Sequence, residues 1–214
     1  SGRRTYADLF LKLSDKFKDN KLFFYDLNAK LNYRIGKKDR LFVSGYFGRD
    51  KLGLGDIFGI NWGNATGTLR WNHIINDKWF SNTSFIYSKY DYKISISGGD
   101  VKFDITSQIQ DFNVKQEFQW FPNNRNKVKI GLNVINHGIT PGQIDANAES
   151  GINVKRIKPT NSIENAVYIS NDYNLSEKFI LSYGVRGSNL MALANGEEMY
   201  TYNPDGSVAT TNVY

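Results

Sequence analysis

Between residues 22 and 47, apolar and polar side chains alternate along the chain. The odd positions of residues 23–35 are apolar, whereas the even positions of residues 26–34 are polar or charged. A period of two places the two sets on opposite faces of an extended strand. Residues 36–39, Gly-Lys-Lys-Asp, predict a tight turn, and a second strand follows to about residue 48. The stretch therefore predicts a long amphipathic hairpin, longer than the usual strands of a soluble sheet.

The same alternation recurs through the rest of the chain. It predicts further strands at residues 5–14, 60–75, 79–92, 105–121, 127–134, 163–173 and 179–187, and a last one beginning near residue 208. Short connections are predicted at residues 36–39, 76–78, 122–126 and 174–178, and longer loops at 15–21, 49–57, 94–104, 137–161 and 189–207. Alternating short and long connections are typical of an up-and-down sheet that crosses a bilayer.

The predicted fold is all-β: an antiparallel up-and-down meander of about nine or ten long strands that forms part of a transmembrane β-barrel. Aromatic residues near the strand ends fit a membrane interface, and the charged face fits an aqueous lumen. The candidate lumen-facing residues are Asp26, Lys30, Arg34, Arg70, Asp111, Lys115, Glu117 and Arg186. Two alternatives stay open: a self-contained small outer-membrane barrel of eight or ten strands, and a soluble carbohydrate-binding β-sandwich.

Composition narrows the function further. The chain has 14 Phe, 13 Tyr and only 4 Pro, which favours sheet over helix. It has no cysteine, which excludes disulfides and thiolate chemistry. The net charge of +6 is spread along the chain, so we expect a slightly basic surface and no nucleic-acid partner. No apolar run is long enough for a transmembrane helix. Residues 1–4 lack the apolar part of a signal peptide, so we expect a mature or excised chain.

The sequence offers little catalytic chemistry. His73 and His137 lie on separate segments without carboxylates at ligand spacing, so we expect neither a metal site nor a catalytic histidine. The glycines of residues 53–55 and 98–99 do not precede helices, which disfavours phosphate cradles. Asp111 and Glu117 fit a ladder of lumenal charges better than a pair of glycosidase carboxylates. We therefore expect a protein that is not an enzyme and needs no cofactor.

Several segments resemble TonB-dependent outer-membrane receptors. Residues 164–173, 175–178 and 181–186 resemble a recurrent hairpin of those barrels, with a tyrosine-containing strand, an acidic turn and a closing Gly-Val-Arg. Residues 44–53 and 132–142 are similar to two other barrel strands of this family. The amino-acid usage, rich in Asn, Lys and Tyr, is similar to that of receptors from Bacteroidota.

The resemblance implies a barrel of about 22 strands in the bacterial outer membrane, with an N-terminal plug in its lumen. It also implies active uptake of a scarce nutrient (an iron chelate, cobalamin or a glycan), powered by a TonB-type energy transducer that acts through the plug. Residues 1–214 are then a single segment from the middle of the barrel, without the plug. The ligand-binding residues are not assigned. Unpaired edge strands predict edge-to-edge self-association of such a segment.

Overall fold

The structure is a computed structural model of the chain. It describes residues 1–99, 101–147, 157–193, 198–203 and 208–213. Strands dominate this part of the chain, and one short helix, α1 (Ala7–Leu11), precedes the long strands. The strands are β1 (Gly2–Arg4), β2 (Lys21–Ile35), β3 (Asp39–Leu54), β4 (Phe58–Asn76), β5 (Trp79–Gly98), β6 (Val101–Asn123), β7 (Asn126–Ala146), β8 (Thr160–Ser176), β9 (Phe179–Leu193), β10 (Glu198–Tyr202) and β11 (Val208–Val213).

Nine of these strands form one antiparallel sheet in chain order, from β1 to β9. β10 and β11 form a separate antiparallel pair. The predicted all-β, up-and-down meander is therefore confirmed, and β2 to β9 are even longer than predicted, at 15 to 23 residues. Within the described residues, no helix is long and apolar enough to cross a membrane.

The nine-stranded sheet is a single layer. We call face 1 the side that carries Leu31, Val43 and Leu69, which are neighbours across β2, β3 and β4, and face 2 the opposite side. Leu27 and Leu31 on face 1 are 58% and 72% exposed. Among the described residues no large side chain is fully buried. A β-sandwich would cover one face with a second sheet, so this arrangement argues against that alternative.

The sheet is open in the part of the chain that the structure describes. β1 pairs only with Tyr25, Asp26 and Leu27 of β2, and β9 pairs only with β8. The sheet is consistent with part of a barrel. A self-contained barrel of eight or ten strands would need its first and last strands to pair, which the described strands do not do.

The predicted strand at residues 5–14 is wrong. Residues 2–4 form β1 instead, and the chain then makes α1, with Leu9 N–H donating to the Tyr6 carbonyl. Ala and Leu are good helix formers, and Asp8 in the first turn of α1 pairs with Arg4 of β1 at 3.4 Å. The helix has only five residues, and over so short a segment an alternating apolar pattern does not distinguish a strand from a helix.

Two predicted long loops are also wrong. Residues 49–54 belong to β3, and residues 94–98 and 101–104 belong to β5 and β6. The connections there are tight turns in which Gly55 and Gly99 adopt positive φ angles of 56° and 61°. The strict alternation of short and long connections is therefore not observed at these two positions. β7 and β8 also extend into the predicted loop at 137–161, and β9 and β10 occupy residues 189–193 and 198–202 of the last predicted loop. Residues 148–156, 194–197 and 204–207 lie outside the described residues.

The turn predicted at residues 36–39 is present, and Gly36 has a φ of +65°. Replacing Gly36 with Ala should lower the free energy of unfolding by about 1 kcal/mol or more, because an L-residue is strained in this conformation. Urea unfolding of the detergent-solubilised chain measures the effect. Gly67→Ala is the matched control, since a Cβ there meets no atom within 4 Å. Equal losses from both variants would contradict the assignment of the turn.

Candidate functional site

Face 1 carries an apolar band across the sheet. Its central row runs through directly paired residues of six strands: Leu31, Val43, Leu69, Phe85, Val114 and Val134. Val43 and Phe85 are about half exposed, at 47% and 51%. The described residues thus present a broad apolar surface without a protein layer on it, which is rare on soluble monomers.

Tryptophans border this apolar band on the side of the 36–38 turn. Trp71, Trp79 and Trp120 lie there on face 1, and the rings of Trp79 and Trp120 stack at 5.4 Å between centroids. The indole N–H of Trp71 donates to the Asp39 carboxylate at 2.8 Å. Each of these side chains has an apolar body, and the Trp71 N–H has a polar partner, as at an interface between apolar and aqueous surroundings.

Polar side chains within the apolar band bond to one another. Thr83 donates to the Gln116 amide oxygen at 2.6 Å, and the Gln116 amide nitrogen donates to Ser81 at 2.8 Å. All three lie on face 1 of β5 and β6. These polar groups therefore find hydrogen-bond partners within the protein, as they must in an environment without water.

Beyond the apolar band, towards the 55–57 turn, face 1 becomes charged. Arg49 pairs with Asp91 at 2.9 Å, and Lys93 pairs with Asp104 at 2.8 Å. Hydrogen bonds from Lys93 and Ser95 hold the pKa of the Asp104 carboxyl below its usual value. These residues lie on the parts of the strands beyond the apolar band, and their charged side chains are suited to contact with water.

Face 2 shows the opposite change. Beyond the level of the band it carries a paired row of aliphatic residues on five strands: Leu52, Ile60, Ile94, Ile105 and Ile144. Trp62 and Tyr92 form a neighbouring aromatic pair on the same face. On β3 to β7 the two faces therefore exchange polarity near the level of Phe47 and Gly48, whereas β2 keeps Tyr25 and Phe23 on face 1. The inverted alternation continues through residues 94–96, which the sequence pattern predicted to be a loop.

The eight predicted polar residues all lie on face 2. They belong to β2, β4, β6 and β9: Asp26, Lys30, Arg34, Arg70, Asp111, Lys115, Glu117 and Arg186. Register brings Lys115, Glu117 and Arg186 into one cluster with neighbours on β7 and β8. Lys30, Arg34 and Arg70 make no ion pair with any residue in the described ranges. That face 2 lines a lumen stays a prediction.

Glu117 is the centre of the cluster on face 2. The Tyr168 hydroxyl donates to Glu117 at 2.5 Å, and the Gln119 amide donates to it at 3.0 Å. Lys115 lies 3.7 Å from Glu117 and 5.7 Å from the centroid of the Tyr168 ring. Gly131 stands between Glu117 and Tyr168 in the register, and its missing side chain lets the ring cross β7.

The histidines have carboxylate partners, which corrects the expectation from sequence. His137 Nδ1 lies 2.8 Å from Asp111 and its Nε2 lies 3.7 Å from Glu164, while Arg186 lies 3.7 Å from Glu164. His73 similarly contacts Asp39 at 2.7 Å. These partners are 26 or more residues apart in sequence, so only the strand register reveals them.

Other partners also escaped sequence reasoning. Arg3 on β1 pairs with Asp26 at 3.0 Å, because Arg3 and Asp26 are register partners. Lys129 on β7 pairs with Asp172 at 3.4 Å, and Ser182 donates to Asp172. A cluster of His, Asp or Glu suited to a metal ion is not found among residues that the structure describes.

The chain matches no known protein-family profile, and no curated protein is significantly similar in sequence. Its fold is similar to the crystal structure of BauA, the ferric preacinetobactin receptor from Acinetobacter baumannii. The TM-score is 0.53 at 9% identity over 94% of this chain. The match covers 44% of BauA, so the chain spans less than half of that protein's length. The likeness shows a shared fold over the matched residues, and the open, up-and-down sheet of this chain is consistent with part of a barrel.

Replacing Gly131 with Ala should destabilise the fold by about 1–3 kcal/mol, because the new methyl group would occupy the position of the Tyr168 ring. Chemical unfolding in detergent measures the loss. Gly187→Ala, where a Cβ meets no atom within 4 Å, is the matched control. Tyr168→Ala should lower the free energy of unfolding less in the Gly131→Ala variant than in the unsubstituted chain, because the clash is then relieved. If the two losses are strictly additive, the contact between residue 131 and the Tyr168 ring is contradicted.

Proposed function

We propose that the chain is a wall segment of a β-barrel in a bacterial outer membrane. Face 1 contacts lipid within the apolar band, and face 2 lines the lumen. The single observation that carries the proposal is the exchange of polarity between the two faces. Within the bilayer, the outer surface of a barrel wall contacts lipid and needs apolar side chains, whereas its lumenal surface tolerates polar ones. Where the wall extends beyond the bilayer, its outer surface contacts water.

The height of the band supports this placement. On β6 the face 1 residues from Phe112 to Trp120 span nine positions. At about 3.4 Å per residue this is about 27 Å along the strand, and about 20 Å along the membrane normal at a tilt near 40°. Outer-membrane barrels carry an apolar band of about 25 Å, bordered by aromatic residues.

The exchange of polarity also supports an orientation. In the part of the chain that the structure describes, the strands project past the band on the side of the 55–57 turn and Gly99, whereas the 36–38 and 77–78 turns follow closely on the tryptophans. In outer-membrane barrels the short turns are periplasmic and the longer extensions are extracellular. We therefore propose that the 36–38 turn lies on the periplasmic side.

Within this class, we propose that the parent barrel is a TonB-dependent receptor that takes up a scarce nutrient: an iron chelate, cobalamin or a glycan. The resemblance of residues 164–186 to barrel hairpins of that family supports this, as does the fold shared with a receptor for a ferric chelate. A plug domain and a TonB-type energy transducer would be its partners. The wall itself performs no covalent chemistry in this proposal.

Labelling at single cysteines tests the lipid contact, because the chain has no cysteine of its own. Leu31→Cys and Lys30→Cys are adjacent and lie on opposite faces. With bimane on each cysteine in phospholipid vesicles, we expect nitroxide-labelled lipid to quench the Leu31→Cys variant several-fold more strongly. Aqueous iodide should preferentially quench the Lys30→Cys variant.

Ser95→Cys is the control, since Ser95 lies on face 1 beyond the band and should respond to iodide. Equal quenching of the Leu31→Cys and Lys30→Cys variants by nitroxide lipid would refute the membrane placement. So would a Ser95→Cys variant that lipid quenches as strongly as the Leu31→Cys variant.

The open edge of β9 predicts self-association. Its outer hydrogen-bonding groups have no partner among the described residues, and unpaired edges template further strands. We expect the detergent-solubilised chain to form concentration-dependent oligomers, detectable by light scattering after size exclusion. A monomer that persists up to millimolar concentration would contradict this expectation.

A further inference from the structure

Two arginines face each other on face 2 near the 36–38 turn. Arg34 on β2 and Arg40 on β3 are direct register partners, so their side chains leave the same side of the sheet. Like charges directly opposite each other in an antiparallel pair are destabilising. Lys37 and Lys38 in the connecting turn add two further positive charges. This end of the hairpin therefore concentrates cations.

The nearest carboxylates do not neutralise this pair. Asp39 projects onto face 1, where it accepts one hydrogen bond from Trp71 and contacts His73. Glu117 lies in the same row of directly paired residues across the sheet as Arg34 and Arg40. It accepts hydrogen bonds from Tyr168 and Gln119. Within the described ranges neither arginine makes an ion pair. Asp39 is the carboxylate beside Lys38, so among these cations it is the two arginines that lack a protein counter-charge in this part of the structure.

The arginines line a cavity. It has a volume of about 480 Å³ and is lined by both arginines, the two turn lysines, and the amides of Asn72, Asn82 and Gln119. The hydrogen-bonded pair of Asp39 and His73 also lines it, so four basic side chains face one carboxylate. The rings of Phe42 and Phe80 also line it. Lys38 Nζ lies 3.5 Å from the Ile75 carbonyl, which places this ammonium at the rim. A volume in the range of about 300–1,000 Å³ suits a small molecule, and is much larger than one inorganic ion needs.

We propose that this cavity binds a small polyanion through its carboxylate or phosphate groups. Arg34 and Arg40 bind the acidic groups, since a guanidinium matches an oxyanion with two parallel hydrogen bonds. The three amides supply neutral donors, and Lys37 and Lys38 add attraction at the rim. Binding of the anion replaces the repulsion between the arginines with two attractive contacts. The site needs only the local register of β2 to β6, so it does not depend on which medium covers face 1.

Isothermal titration of the detergent-solubilised chain tests the site. The probes are citrate, as a tricarboxylate, and inorganic pyrophosphate, at an ionic strength held constant with sodium chloride. We expect at least one probe to bind, and Arg34→Gln and Arg40→Gln each to weaken it about tenfold, the effect of losing one charge-assisted contact. The tighter probe identifies the preferred acidic group. Without a probe, Arg40→Gln should leave the melting temperature unchanged or raise it.

Arg125→Gln is the matched control. It removes the same charge from an exposed turn at the same end of the sheet, outside this cavity. The proposal is overturned if neither probe binds, if the two arginine variants bind as tightly as the unsubstituted chain, or if Arg125→Gln weakens binding equally, which would mean general charge attraction. The quenching experiment on the Leu31→Cys variant fails or succeeds independently of this result.

Discussion

The structure depends on hydrogen bonding within a single layer. Eight long strands pair with their chain neighbours, and within the described residues no large side chain is buried completely. A fold of this kind has no interior in which to hide apolar side chains. Backbone hydrogen bonds join the strands, and each face has to match the medium that covers it. The band on face 1, its charged extension and the reversed pattern on face 2 all follow from this constraint.

Long side chains add connections between strands that are not neighbours. Arg49 crosses Gly63 to reach Asp91, and Tyr168 crosses Gly131 to reach Glu117. In both cases the middle strand contributes a glycine, so a guanidinium or an aromatic ring can lie over its backbone. One such contact lies on each face. Each links a strand to the second strand beyond it, which the backbone ladder alone does not do.

The sequence predicted those features that depend on parity along one strand. Residues 23–35 and their turn at Gly36 were recognised because one period of two continues without interruption, and the same parity places Asp26, Lys30 and Arg34 together on one face of β2. Contacts such as His137 with Asp111 depend on register between strands, which no single strand encodes. Residues 49–54 were mistaken for a loop because the stretch of residues 49–56 is charged and rich in glycine, and residues 94–98 because Ser-Gly-Gly-Asp follows from residue 97. In both segments the alternation continues with the faces exchanged.

The exchange of polarity also has a mechanical consequence for the proposed barrel. If the sheet slid towards the periplasm, Lys89 and Arg49 would enter hydrocarbon, where a basic side chain near the midplane costs about 2–4 kcal/mol. If it slid outwards, Leu31 and its row would leave the lipid for water. Either displacement is opposed on several strands together. The wall would therefore keep a fixed depth in the bilayer even while a ligand or a mechanical pull acts along its axis.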